Sequence, residues 1–195
     1  MPTGVAIRDV REQLFAAADR ILLRDGPSGL TSRAVTTEAA VAKGVLHKHF
    51  ADFDAFLAEF VLDRVHRMAP QAEALRCAAG SGTVAGNVAD ALIGVFGSVA
   101  VAVVALITFR DELRARLRQT WPAGVPVLTD AAIMLGDYLA AERDLGRVAP
   151  GADPQTLGAM LIGSAHLLFA DRTGASPDRA AVERMVRGVL DLVRG

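Results

Sequence analysis

Cysteine is almost missing from this chain. The one thiol, Cys77, has no partner to pair with, so no internal disulfide framework holds the fold. With no basic-then-apolar leader at its start, the sequence fits a reducing cytoplasm. Lysine is nearly as scarce: among 21 basic residues only Lys43 and Lys48 are lysines, and both fall in one short segment. Aromatic residues make up 5% of the chain, with one Trp and one Tyr, so the core has to be mostly Ala, Val and Leu. An excess of either charge is also lacking. The formal net charge is −1, with seven basic and five acidic residues over 1–51 against fourteen and seventeen over 52–195. Any nucleic-acid contact must therefore come from a local patch and not from a polycationic surface. There is no Ser/His/Asp arrangement, no phosphate-cradling glycine loop and no cluster of metal ligands, so neither an enzyme nor a cofactor is expected. His47 and His49 form an H-x-H pair, but residues two apart on a helix do not face each other.

One long hydrophobic run is present. Residues 91–109, ALIGVFGSVAVAVVALITF, are nineteen in a row without a charge, enough to span a bilayer. Gly94, Gly97 and Ser98 interrupt it, and no second span exists to pack against it. A buried helix pair broken near Gly97-Ser98 accounts for the run without a membrane. A membrane-anchored helical protein is the alternative reading.

The rest is helical in pattern, and strand alternation is absent over any useful length. Val10, Leu14, Ala17, Ala18, Ile21 and Leu22 recur on one face of a helix from about Ile7 to Arg24, which Asp25-Gly26 stops. Thr31 sits where an N-cap belongs, ahead of a short helix over about Ser32–Ala39. The turn Ala40-Val41-Ala42 leads to a third helix from Lys43 to about His49. Asp52 caps the next, which runs to Met68 and ends at Pro70. Further helices are expected over 72–79, from Thr83 to about Gly97, on to Phe109, over Arg110–Gln119 and from Val125 to Leu145. Trp121-Pro122-Ala123-Gly124 breaks the chain between the last two. Asp153-Pro154 opens a helix to about Asp171, and Ser176-Pro177 opens the last, to Val193. That makes nine or ten helices.

Residues 31–50, TSRAVTTEAAVAKGVLHKHF, carry the functional signal. Two short helices joined by a three-residue turn, behind a longer helix, are the parts of a helix-turn-helix unit. The second of the pair enters the major groove and needs donors and small residues on its outer face. Lys43 can reach phosphate or a base edge. Gly44 permits close approach, and Val45 offers methyls to a thymine. Leu46 and Phe50 point into the core. His47 and Lys48 return to the groove side and suit phosphate, as do Thr31, Ser32 and Arg33 at the start of the first short helix.

At these positions the chain resembles the TetR family of transcriptional regulators. Thr31, Val35, Ala39, Val41, Gly44, Leu46, His49 and Phe50 match the family pattern at the right spacings, within residues 7–60. Ala40 stands where the family has its turn glycine, and Ala42 where Ser caps the third helix. His47 replaces a Tyr and Phe53 a Lys. The resemblance implies an all-α protein with a three-helix DNA-binding domain over 1–51 and a helical regulatory and dimerisation domain over 52–195, joined by the helix at 52–69. It implies a homodimer bound to a (pseudo)palindromic operator on double-stranded DNA, and repression relieved by a small, largely apolar effector. Phe60, Phe96, Phe109, Trp121, Met134, Tyr138 and His166 would line the effector cavity. The last two helices carry wide apolar faces, which two copies could bury in a four-helix bundle. Leu157, Met160, Leu161, Leu168, Val182, Met185, Val186, Val189 and Leu190 are the interface candidates.

Overall fold

The computed structural model describes residues 4–97, 99–122, 124–170 and 176–192, with side chains from residue 10 onward. Ser98, Ala123, Asp171 and Val193, which the sequence reading used to place breaks and helix ends, lie outside the described residues. The described chain is all helix and connections: α1 (Gly4–Asp25), a 3-10 turn (Pro27–Gly29), α2 (Ser32–Glu38), α3 (Val45–His49) and α4 (Phe53–His66) come first. They are followed by α5 (Ala69–Cys77), α6 (Val84–Phe96), α7 (Ala100–Phe109), α8 (Asp111–Thr120), α9 (Leu128–Asp144), α10 (Pro154–Phe169) and α11 (Arg179–Asp191).

The chain forms two compact units, and they do not divide at 51/52. One unit holds residues 1–63 and 102–123; the other holds 64–101 and 124–195. The sequence-based boundary misses the return of 102–123 to the N-terminal unit, because hydrophobic periodicity locates helices but not their neighbours.

In the first unit α1 buries Leu14, Phe15, Ala17, Ala18, Ile21 and Leu22, joined by Val35, Leu46, Phe50, Phe56, Leu57, Phe60 and Val61. Phe15 is the hub of an aromatic cluster, with ring centroids 5.9 Å from Phe50, 5.6 Å from Phe56 and 5.9 Å from Phe60. Burying such a ring contributes about 1.5–3 kcal/mol, and tilted ring pairs add to that. Asp52 caps α4 as expected, its Oδ1 accepting the N–H of Ala55 at 2.7 Å.

In the second unit, α10 lies along α9 and α11 along α6. Gly158 and Gly136 allow the first pair to close: a Cβ on Gly158 would stand 2.5 Å from the Ala132 carbonyl and 3.0 Å from the Gly136 nitrogen. Thr83, Asp153 and Asp178 cap α6, α10 and α11. Some boundaries differ from expectation. Pro70 opens α5, in whose first turn its missing N–H is harmless, and does not close α4. The last helix starts at Arg179 because the Asp178 carboxylate accepts from Ala181 N, two residues beyond the Ser-Pro signal.

The apolar run 91–109 is split. No single described helix is long and apolar enough to cross a membrane, and α6 and α7 meet that test only as a pair bent by 56°. α6 belongs to the second unit and most of α7 to the first, and Leu92, Val95, Phe96, Val103, Leu106 and Ile107 are all buried within the protein.

Candidate DNA-binding surface and effector cleft

α2 begins at Thr31, whose Oγ1 accepts the N–H of Ala34 at 3.1 Å. Buried Thr36 turns its hydroxyl back to donate to the Ser32 carbonyl at 3.0 Å, and Val35 is fully buried. α2 therefore has one inner face and leaves Thr31, Arg33 and Thr37 exposed, with Ser32 half-buried. It ends in a paired turn: Ala40 N donates to Thr37 O at 3.1 Å and Val41 N to Thr36 O at 3.0 Å. This double closure places the residue after the helix cap in the left-handed region. That residue is Ala40, at φ 52°. The position where the TetR pattern has glycine thus keeps the glycine-type backbone without a glycine.

α3 is shorter than expected. Lys43 and Gly44 lie in the turn before it, and the helix itself is Val45–His49. Leu46 is fully buried and Phe50 nearly so, whereas Lys43, Gly44, His47 and Lys48 are exposed and Val45 is half-buried. No atom lies within 4 Å of where a Gly44 Cβ would stand, so the outer surface is open there. Sequence reasoning missed Arg11 at the end of this helix. Its guanidinium sits 4.4 Å from the centre of the Phe50 ring, donates to the His49 carbonyl at 3.4 Å and pairs with Glu59. A charged residue on a mostly apolar helix face gave no periodic signal for that role.

The described lysines and arginines of this unit fall into two groups. Arg20 and Arg24 both grip Glu38, at 2.7 and 3.0 Å, and the hydrogen bond from Arg20 does most to hold that carboxyl below its usual range. Arg110 binds Asp54 at 2.5 Å, Arg116 binds Asp52 at 2.8 Å, and Arg114 pairs with Asp111. The Ala55 N–H, followed by Arg116, lowers the pKa of Asp52. Arg33, Lys43, Lys48 and Arg118, by contrast, have no acidic partner among the described residues. Three of these four belong to the predicted DNA-facing set.

The seven effector candidates are divided between the two units. Phe60, Phe109 and Trp121 are in the first unit; Phe96, Met134, Tyr138 and His166 are in the second. Phe60 is fully buried in the aromatic cluster, and Phe109 is 86% exposed. His166 lies 6.1 Å from Phe96, which stacks on Phe169. Tyr138 serves a polar network: its hydroxyl donates to Glu142 Oε1 at 2.6 Å and accepts from Asn87 Nδ2 at 2.9 Å. Burial, reinforced by the bond to Glu142, raises the phenol well above its ordinary pKa. Glu142 is fully buried, also takes the Gly80 N–H at 3.3 Å, and faces Arg147 at 3.2 Å. A cleft of about 320 Å³ opens elsewhere in this unit, between α5 and α6. Ala74, Leu75, Ala78, Ala91 and Gly94 make its walls, and Gln71, Asn87 and Asp90 supply polar groups. None of the seven candidates lines it.

The interface candidates divide as well. Leu157, Leu161, Val182, Val186, Val189 and Leu190 are buried inside the chain, so their apolar faces are consumed by its own packing. Met160 remains 40% exposed, and Leu168 and Met185 are half-buried. A different stripe is open. Met160, Gly163 and Leu167 share one face of α10, and Met185, Gly188 and Leu192 repeat the spacing on α11 and just past its end. Leu167 is 78% and Leu192 69% exposed, and nothing stands within 4 Å of a Cβ at Gly163 or Gly188.

No protein-family model and no curated protein matches the sequence. Solved structures do. A Rhodococcus sp. protein assigned to the TetR family of transcriptional regulators superposes with a TM-score of 0.69 at 19% identity, over 96% of this chain and 100% of that one. A Mesorhizobium loti protein of the same assignment gives 0.68 at 16% identity, over 95% of both chains. The transcriptional regulator FadR from Bacillus subtilis, solved in complex with stearoyl-CoA, gives 0.64 at 16% identity, over 93% of this chain and 96% of that one. The chain has the fold of the TetR-family transcriptional regulators.

Proposed function

We propose that the protein is a DNA-binding transcriptional regulator that acts in the cytoplasm as a ligand-responsive homodimer, most simply a repressor. One observation carries the reading. The turn and helix over 43–48 expose Lys43, Gly44, His47 and Lys48, with both lysines unneutralised, while Leu46 anchors the same helix in the core. Thr31, Ser32, Arg33 and Val45 complete the surface offered to a major groove and its flanking phosphates. A single unit of this kind makes few base contacts, and a two-fold dimer doubles them across two half-sites. The open stripe of Met160, Gly163 and Leu167 with Met185, Gly188 and Leu192 supports pairing through α10 and α11.

The cleft between α5 and α6 supports a small, largely apolar effector held by a few polar groups. The stearoyl-CoA held by FadR from Bacillus subtilis, with its long acyl chain, agrees with that class. Such a ligand would lower DNA affinity by favouring one conformer, a coupling commonly worth ~1–3 kcal/mol.

The test is a gel shift with DNA from upstream of the protein's own gene. Lys43→Ala and Lys48→Ala are each expected to weaken binding, with a salt slope shallower by about 0.9 per lost phosphate contact. Unchanged binding by both variants would overturn the assignment of α3 as the recognition helix.

A further inference from the structure

α8 is an arginine-rich helix fastened to the DNA-binding unit. Within eleven residues it has Arg110, Arg114, Arg116 and Arg118 against Asp111 and Glu112. It is anchored at two points on the start of α4, by Arg110 to Asp54 at 2.5 Å and by Arg116 to Asp52 at 2.8 Å. Buried Leu113 and Leu117 fix its inner face, and Arg110 also lies 5.4 Å from the Phe53 ring centre.

These anchors give α8 a direction. From Arg110 to Arg116 it advances roughly 9 Å along its axis at 1.5 Å per residue, while its partners step backward along α4 from Asp54 to Asp52. α8 therefore runs toward the N-terminal end of α4, where the chain leaves α3 through Phe50 and Ala51. Arg118 lies about 3 Å further along the same axis. It is exposed, stands on the opposite side of α8 from Arg116, and has no acidic partner among the described residues. The other arginines of α8 have their charge met by aspartates. Arg118 thus joins Arg33, Lys43 and Lys48 as a cation of this unit with no acidic partner among the described residues, two residues past the arginine that holds Asp52 at the start of α4.

We propose that Arg118 contacts the DNA backbone, so that α8 is a second nucleic-acid-binding element beside the helix-turn-helix. The inference rests on the DNA-binding reading above. A long arginine at this place neutralises one phosphate, positions the unit on the duplex and reads no sequence.

The experiment is a salt titration of binding to two labelled duplexes, one from the promoter region and one of random sequence. Arg118→Gln is expected to weaken both by roughly three- to ten-fold near 0.1 M salt, with a log–log salt slope shallower by about 0.9. Arg118→Lys, which keeps the charge, should restore the slope. Because Arg118 is exposed and unpaired, either change leaves the packing intact, and an unaltered melting temperature checks this. Lys43→Gln run in parallel separates the two ideas. If Lys43→Gln weakens binding and Arg118→Gln leaves both affinity and slope unchanged, the role of α8 is overturned while the recognition helix stands. If neither affects binding, the DNA-binding reading itself fails.

Discussion

Ala40 shows how one residue meets a backbone demand made by its neighbours. The α2 terminus closes with two reverse hydrogen bonds, and that closure requires a positive φ whatever side chain is present. An L-residue pays roughly 1–2 kcal/mol to sit there, which glycine avoids. Gly146 is the internal comparison. It ends α9 at φ 73° with the same paired bonds, Gly146 N to Arg143 O and Arg147 N to Glu142 O. Ala40→Gly is therefore expected to stabilise the protein, by about 1 kcal/mol or less once the greater freedom of glycine in the unfolded chain is counted. Thermal melting should show a midpoint raised by a few degrees at most. A lowered midpoint would mean that the strain at φ 52° is not felt. The sequence marked this residue as unusual through the resemblance, and the structure supplies the strain.

At the scale of elements, caps and apolar stripes were legible and partnerships were not. Thr31, Asp52 and Thr83 cap the helices they were expected to cap, and Asp153 caps the helix that Asp153-Pro154 was expected to open, since a cap is a contact within three residues. The network on α9 gave no such warning. Asn87, Tyr138, Glu142 and Arg147 are scattered over 60 residues, and only folding brings them together. Tyr138 was an effector candidate only through what the family resemblance implies for its helix. In the fold it supplies a donor to a buried carboxylate, and Asn87, Gly80 and Arg147 tie the turn at 78–82 to α9 through the same group. Tyr138→Phe keeps the ring and removes the hydroxyl, leaving Glu142 Oε1 without its shortest bond. A loss of about 1–3 kcal/mol is expected in urea unfolding. Promoter-DNA binding in the folded protein should be unaffected. An unchanged urea midpoint would show that Glu142 is satisfied without the phenol.

At the scale of the whole molecule, an apolar helix face does not announce what will cover it. Leu157, Leu161, Val182 and Val186 share a pattern that suits a dimer seam or a core, and the chain uses them as core. What remains for a partner is the weaker stripe containing Met160, Leu167 and Leu192, spaced by the open glycines 163 and 188. Leu167→Glu puts a charge on that stripe without touching the interior. Sedimentation velocity is expected to show the wild-type chain as a dimer and Leu167→Glu shifted to monomer, with weakened operator binding as a consequence. A wild-type monomer, or a variant that stays dimeric, would remove α10 from the interface.

The sequence alone determined the all-helical class, the helix-turn-helix over 31–50 and the residues it exposes. Each of these depends on short-range physics: helical period, caps, a turn of fixed length and a buried Leu46. Tertiary structure decided the rest. It split the 91–109 run between two units, returned 102–123 to the N-terminal unit and set the arginines of α8 against the first turn of α4. It also lined the cleft between α5 and α6 without an aromatic side chain. Those outcomes depend on which helix packs against which, and contacts between residues far apart in the chain leave no periodic trace in the sequence.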